Sequence, residues 1–409
     1  MSRTLLTNAT FYVGEALTAQ SGSLVVDDGV ITEIGEAVTT RPDDAVVDLQ
    51  GGYVIPGLMD AHCHLIYRDV ADPYDIELRK SIPEATIDAI VNAERLLKAG
   101  FTTVRDVGSR GNIGVEVRNA VTRGDIRGPS IHPAGQILSG PGGLADFHPS
   151  HVFDDRPYRH GLGVQIIGPD EARATIRRQL KDGVEWIKVG VSGTGFNPLC
   201  PAERNGLSEP EFAAVMAEAK YQGVPVAAHA ESAESVRAAA FHGAQTIEHG
   251  IYIDDESLDL MVRNNVTLSP TLSMYRAFAT RGGSMGIPAV IVDQHKRTHE
   301  RHATSIRMAF EAGVPIVAGG DAGLTHFPQG HCAEEVASYI EVIGMTPREA
   351  LSTITVNIAR LLGVIAKVGT LDVGKRADLL ALSTDPLASP ASLLDADSRL
   401  LVMHNGVAA

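Results

Sequence analysis

One phrase recurs along this chain and limits what it can fold into. A helical run closes on glycine or asparagine, and a short apolar strand follows: Gly100 before residues 101–104, Gly183 before 184–187, Gly223 before 224–227, Gly243 before 244–247, Asn265 before 266–268 and Gly313 before 314–317. Glycine and asparagine at such points are helix C-caps, where a left-handed residue ends the helix and turns the chain into a strand. Apolar runs at 54–65 and 130–138 bring the expected strands to eight, mostly separated by segments long enough for a helix. Eight such units predict an α/β fold of the (β/α)8 TIM barrel type, with parallel strands inside and helices outside.

Outside the repeated phrase the texture changes. Short runs at 10–13, 23–26, 30–34 and 45–49, punctuated by Asp28-Gly29 and Gly51-Gly52, read as strands and turns, and the same texture returns at 369–371, 377–382 and 400–403. The simplest arrangement joins both ends, residues 1–56 and 367–409, in one small β domain beside a barrel at 57–366. Composition excludes other classes: 44% hydrophobic and 21% charged residues, with no apolar run long enough to span a bilayer, argue against disorder and a membrane segment. With 35 basic against 50 acidic residues the net charge is -15, so a nucleic-acid partner is not expected. The first residues carry no apolar signal segment, and Cys63, Cys200 and Cys332 are too few for a disulfide framework, so a cytoplasmic location is expected.

Chemistry in such a barrel sits at the C-terminal ends of the strands, so the polar residues that end each apolar run are the candidates. The first strand ends in His62-Cys63-His64, the fourth carries Lys188, the fifth ends in His229, the sixth in His249, and the eighth runs into Asp321. A His-x-His pair carries little weight by itself in a chain with 15 histidines. Its strand placement adds weight, because residues i and i+2 share a face: His62 and His64 point to the barrel mouth while Cys63 faces the helices. Lys188, within Trp186-Ile187-Lys188-Val189, would bury an ammonium at heavy cost. It either lifts its amine to solvent or reacts with carbon dioxide to form a carbamate, a bidentate anion able to bridge two metals. Together these six side chains converge on one cavity as a ligand set.

With these residues the chain resembles the amidohydrolase superfamily, of the binuclear-metal type with a carboxylated lysine, along nearly its whole length. The similarity rests on Pro56-Gly57-Leu58-Met59-Asp60-Ala61-His62-Cys63-His64 at the start of the barrel. It rests also on Gly369-Thr370-Leu371-Asp372-Val373-Gly374-Lys375-Arg376-Ala377-Asp378-Leu379, where the tail returns to a urease-like β-sandwich. Within that group it is most similar to the branch of imidazolonepropionase-like proteins, Xaa-Pro dipeptidases and ochratoxin amidases. The resemblance implies two divalent ions, zinc suiting the ligands best. His62, His64 and Asp321 would hold one, His229 and His249 the other, and Lys188 as a carbamate would bridge them. It implies a hydrolase that cleaves a carbon–nitrogen bond of a small molecule, such as an N-acyl amino acid or dipeptide, through a metal-bridging hydroxide, with a cyclic amide, carbamate or urea as the alternative. Asp321 would be both ligand and general acid/base.

Deamination is disfavoured, because deaminases of this fold lack the strand-four lysine and place a glutamate three residues after the strand-five histidine, where this chain has Ser232. A metal-free scaffold is disfavoured too, since no ligand position is missing. Long strand-end loops are expected to set the substrate. Tyr252, which follows the strand-six histidine as in the dipeptidases, is the expected oxyanion donor, and Arg276 or Arg281 the expected carboxylate clamp. His148 and His151 follow Gly142-Gly143-Leu144, where those dipeptidases read Gly-Gly-His; both are expected at the substrate, His151 also in catalysis. His295, His299 and His302 read as the partly wet face of an outer barrel helix. A homo-oligomer is expected.

Overall fold

The computed structural model describes residues 3–70, 77, 79–146, 161–195, 200–284, 286–325 and 327–409. The chain opens with β1 (Thr4–Val13), β2 (Thr18–Asp27), β3 (Val30–Gly35) and β4 (Ala45–Pro56). The barrel strands follow: β5 (Leu58–Cys63), β6 (Phe101–Asp106), β7 (Ser130–Pro133), β8 (Ile137–Ser139), β9 (Gly163–Gln165), β10 (Ile187–Gly190), β11 (Val226–Ala230), β12 (Thr246–His249) and β13 (Thr267–Ser269). The tail adds β14 (Leu379–Leu382), β15 (Arg399–His404) and β16 (Val407–Ala408).

Helices alternate with the barrel strands, and local signals fix their ends. Ser81 caps the helix Ile82–Lys98, Ser208 and Glu211 form a reciprocal capping box at the start of Glu209–Gln222, and Asp254 caps Asp255–Arg263. All six residues at the expected helix exits, Gly100, Gly183, Gly223, Gly243, Asn265 and Gly313, adopt positive φ. β5, β6 and β7 pair in parallel, as do β10 through β13 in sequence. The carbonyl of Pro133 bridges the two groups by accepting from the Glu185 amide at 2.8 Å.

Two barrel strands differ from expectation. The third is split, because Gly135 at φ 70° turns the chain between β7 and β8, and β8 then pairs with the additional strand β9. The eighth is not a continuous strand: it makes one parallel bridge, Leu268 to Ile316, because Pro315 has no amide to donate to a ladder. It still closes the barrel, since the amide of Leu268 donates to Pro315, that of Val317 to Leu268 and that of Ala61 to Ala318.

The two chain ends meet in a seven-stranded sheet of order β16-β15-β14-β4-β1-β2-β3. The joint is the antiparallel pairing of β4 with β14, which brings Ile55 opposite Leu380 and Val54 opposite Ala381. Both strands are apolar on two faces. Ile55, Leu380 and Leu382 pack into the barrel core, whereas Val54, Leu379 and Ala381 pack into a separate core with Leu6, Phe11, Leu24 and Ile31. No helix among the described residues is long and apolar enough to cross a membrane.

The alternation makes the sheet and barrel one packed unit. Leu380 is fully buried and would meet any side chain placed on Gly100 at the helix exit before β6. Leu380→Ala is expected to lower unfolding stability by about 2–5 kcal/mol, as buried leucine truncations do. Urea denaturation followed by circular dichroism checks this, and an unchanged midpoint would show that the two parts do not depend on each other.

Candidate metal centre

At the C-terminal mouth of the barrel four buried imidazoles crowd together, with ring centroids of neighbouring pairs 4.5–5.4 Å apart. Each has one ring nitrogen occupied by a protein group. His62 Nδ1 lies 2.7 Å from Glu248 Oε2, His64 Nδ1 2.9 Å from the Gly108 carbonyl, and His229 Nε2 2.9 Å from the Gly193 carbonyl. His249 Nδ1 lies 2.8 Å from Thr271 Oγ1, whose own proton goes to the Pro270 carbonyl at 2.7 Å. All four partners are acceptors, so each ring donates there. The other nitrogen, Nε2 on His62, His64 and His249 and Nδ1 on His229, is left with a free lone pair. Burial reinforces this neutral form: it pushes His64 down to about 4 and His229 to about 3, and drives His62 and His249 well below the usual histidine range.

Asp321 completes the first half of the cluster. Its Oδ1 stands 3.6 Å from His62 Nε2 and 3.5 Å from His64 Nε2, and the ligand atoms of these three residues lie within 4.8 Å of one another. A second group, His229, Glu231 and His249, meets the same limit. His249 (φ 72°), Asp321 (φ 45°) and Thr271 (φ 52°) hold left-handed backbones without being glycine. Such strain persists only where surrounding structure imposes it, and here it falls on two expected ligands and on the acceptor that orients one of them.

Lys188 lies on β10, 1% exposed, and lines the same cavity. No carboxylate among the described residues stands within ion-pairing distance of its amine. Burial lowers its pKa to about 8, so the neutral amine is far easier to reach near neutrality than in an exposed lysine. The same burial raises Asp321 to about 6 and Glu231 to about 8. This donor set, four oriented imidazole lone pairs, a carboxyl and an unpaired buried amine, fits divalent cations bound by nitrogen and oxygen.

Sequence reasoning missed the residues beneath the ligands. Arg105, fully buried on β6, donates from Nε to the Ala61 carbonyl at 2.6 Å and from Nη1 to Thr246 Oγ1 at 3.1 Å. Its Nη2 pairs with Glu248 Oε1 at 2.8 Å, and its guanidinium stacks 4.4 Å over the Trp186 ring. Burial tends to raise the Glu248 carboxyl, but Arg105 and Lys188 outweigh it and hold Glu248 below the usual range, so it accepts from His62 as a carboxylate. Arg105, directly after the uncharged run 101–104 on the same strand, was the available signal, since a charge on an inward strand face requires a partner. Glu231 was missed as well: its Oε1 accepts from Tyr275 Oη at 2.7 Å and lies 3.4 Å from His229 Nε2.

The expected metal ligands, His62, His64, Lys188, His229, His249 and Asp321, all line one cavity. The expected substrate residues do not join them. Tyr252 turns to Glu203, 3.5 Å from its hydroxyl, and is not part of the described lining, which includes Tyr275. Arg276 pairs with Glu341 at 2.6 Å and reaches Ser338, so its charge is committed away from the cavity. His148 and His151 lie outside the described residues. The helix Ala289–Glu311 has a drier face than expected: His295 and His302 are buried, each ring 5.0 Å from Tyr275, and His302 Nε2 bonds the His249 carbonyl at 3.0 Å.

Comparison with known proteins places this geometry. An ochratoxinase from Aspergillus niger is 28% identical over 391 residues, 91% of this chain and 80% of that protein. A crystal structure of a prolidase complexed with N-methylphosphonate-L-proline superposes with a TM-score of 0.89 at 26% identity, covering 100% of this chain and 99% of that one. A Xaa-Pro dipeptidase structure with bound methionine gives a TM-score of 0.87 at 29% identity, with 100% of each chain covered. The model of the amidohydrolase family matches residues 53–409. The chain therefore belongs to the amidohydrolase family, and it is an enzyme acting on carbon–nitrogen bonds.

Proposed function

We propose that the cavity holds two divalent cations, zinc by its ligand chemistry, and that the enzyme hydrolyses the carbon–nitrogen bond of a small amide or dipeptide. His62, His64 and Asp321 would hold one cation and His229 and His249 the other, with Lys188, as a carbamate, as the anionic ligand they would share. The observation that carries this reading is the tautomer pattern: every histidine of the cluster has its proton committed to a protein acceptor and a lone pair to spare. Carboxylation of Lys188 forms a bond from Nζ to the carbon of carbon dioxide and releases one amine proton, and it requires the neutral amine that burial favours. When bound, such cations polarise a carbonyl and lower the pKa of a coordinated water towards about 7.

The protein side of the reaction falls to Asp321. Its carboxyl sits at the edge of the cluster, where it takes the proton of the attacking water and passes it to the leaving amine. Glu248 and Thr271 keep His62 and His249 in the tautomer that binds, and Arg105 holds Glu248 ionised. The names of the prolidase, the Xaa-Pro dipeptidase and the ochratoxinase support an amide or peptide-like bond as the one cleaved. The three cysteines, all unpaired and buried, fit a reducing, cytoplasmic setting.

Lys188→Ala is expected to abolish hydrolysis and to lower bound metal, with short carboxylic acids restoring part of both; wild-type turnover in this variant, measured with elemental analysis of the same sample, would exclude the bridge. Asp321→Asn is expected to reduce turnover by about 10²–10⁴-fold, the range of a lost general acid/base, with a smaller loss of metal. An unchanged rate would remove Asp321 from proton transfer. Thr271→Val deprives His249 of its acceptor and is expected to weaken metal affinity by about 10–100-fold in a chelator competition. Equal affinity would show that the tautomer is set elsewhere.

A further inference from the structure

Above the ligands the described cavity wall is mostly apolar, with Thr194 and Tyr275 as uncharged polar members. Tyr67, Ile137, Leu144, Leu162, Met274 and Leu324 line it, and none is more than 7% exposed. They come from separate segments: after β5, at the start of β8, in the turn beyond β8, before β9, on the helix Leu272–Arg281 and after Asp321. Such convergence builds a surface that no single amphipathic element supplies. The charged groups in the described lining are Lys188 and Asp321, both in the ligand cluster. Arg276 is held by Glu341 and Arg281 by Glu334, so neither guanidinium serves the cavity.

A carboxylate placed against this wall would lose its hydration without an ammonium or guanidinium among the described lining residues, other than Lys188, to replace it. An alkyl or aryl group there would gain from burial instead. We propose that the substrate is a neutral amide with apolar acyl and amine flanks, and that a free carboxylate beside the scissile bond, as in a dipeptide or N-acyl amino acid, is selected against. This rests on the hydrolase reading above and narrows it to one substrate class.

The test compares hexananilide with 4-hexanamidobenzoate, which carries a carboxylate on the amine flank, and with glutaranilate, which carries one on the acyl flank. The zinc-loaded enzyme is expected to give hexananilide a kcat/KM about tenfold or more above either analogue, since a desolvated unpaired charge costs more than one factor of ten. From acetanilide to butyranilide kcat/KM is expected to rise about fourfold per methylene. Leu144→Arg is expected to narrow the gap between hexananilide and at least one carboxylated analogue. A carboxylated analogue equal to or better than hexananilide, or a gap unmoved by Leu144→Arg, would overturn the proposal. Calorimetric binding of two uncleavable ketones, hexanophenone and 4-hexanoylbenzoate, separates this claim from the hydrolase reading. Tighter binding of hexanophenone with no amide hydrolysed supports the apolar pocket and counts against hydrolysis; tighter binding of 4-hexanoylbenzoate overturns the pocket proposal whatever the turnover.

Discussion

The structure around the cavity depends on where four imidazole protons go. A buried neutral histidine has one N–H and one lone pair, and leaving either unmatched in a dry site is costly. Here the N–H of His62, His64, His229 and His249 goes to Glu248, Gly108, Gly193 and Thr271 respectively, leaving four lone pairs in one cavity. The acceptors sit on different segments, so the fold as a whole has to be formed before the rings are aimed. Strained backbone at His249, Thr271 and Asp321 marks where that requirement overrides local preference.

Charge follows from the same arrangement. Arg105 and Glu248 neutralise each other next to the ligands, both fully buried, and the Trp186 ring covers the guanidinium. The pair adds no net charge yet supplies His62 with an ionised acceptor. Lys188 has no such partner among the described residues, so its buried amine lines the cavity without an ion pair. With two divalent cations in place, Asp321, a Lys188 carbamate and one hydroxide would leave an excess of a single positive charge, matched to a carbonyl oxygen on which negative charge develops.

Much of this was legible in the sequence. The residue ending each helical run, Gly100, Gly183, Gly223, Gly243, Asn265 or Gly313, is a local signal, because only a few side chains tolerate positive φ; reading those positions set the strand order, and with it the ends where His62, His64, Lys188, His229, His249 and Asp321 meet. What stayed hidden depends on contacts between distant segments. Glu248 and Arg105 find each other across the barrel, 143 positions apart, and Tyr275 reaches Glu231 from a helix 44 positions away. Tyr252 and Arg276 were plausible from their proximity to the strand ends, but proximity in sequence does not fix where a side chain turns, and Glu203 and Glu341 claim them. The interruption of the eighth strand by Pro315 was available from residue type alone.

The claim on which the rest stands is that these oriented lone pairs and Lys188 together bind two cations. Anomalous diffraction from crystals grown with zinc and bicarbonate tests it most directly. The account predicts two anomalous peaks, one among His62, His64 and Asp321 and one between His229 and His249, with additional density on Lys188 Nζ between them. A bare Lys188 amine with no peak beside His229 and His249 would contradict it.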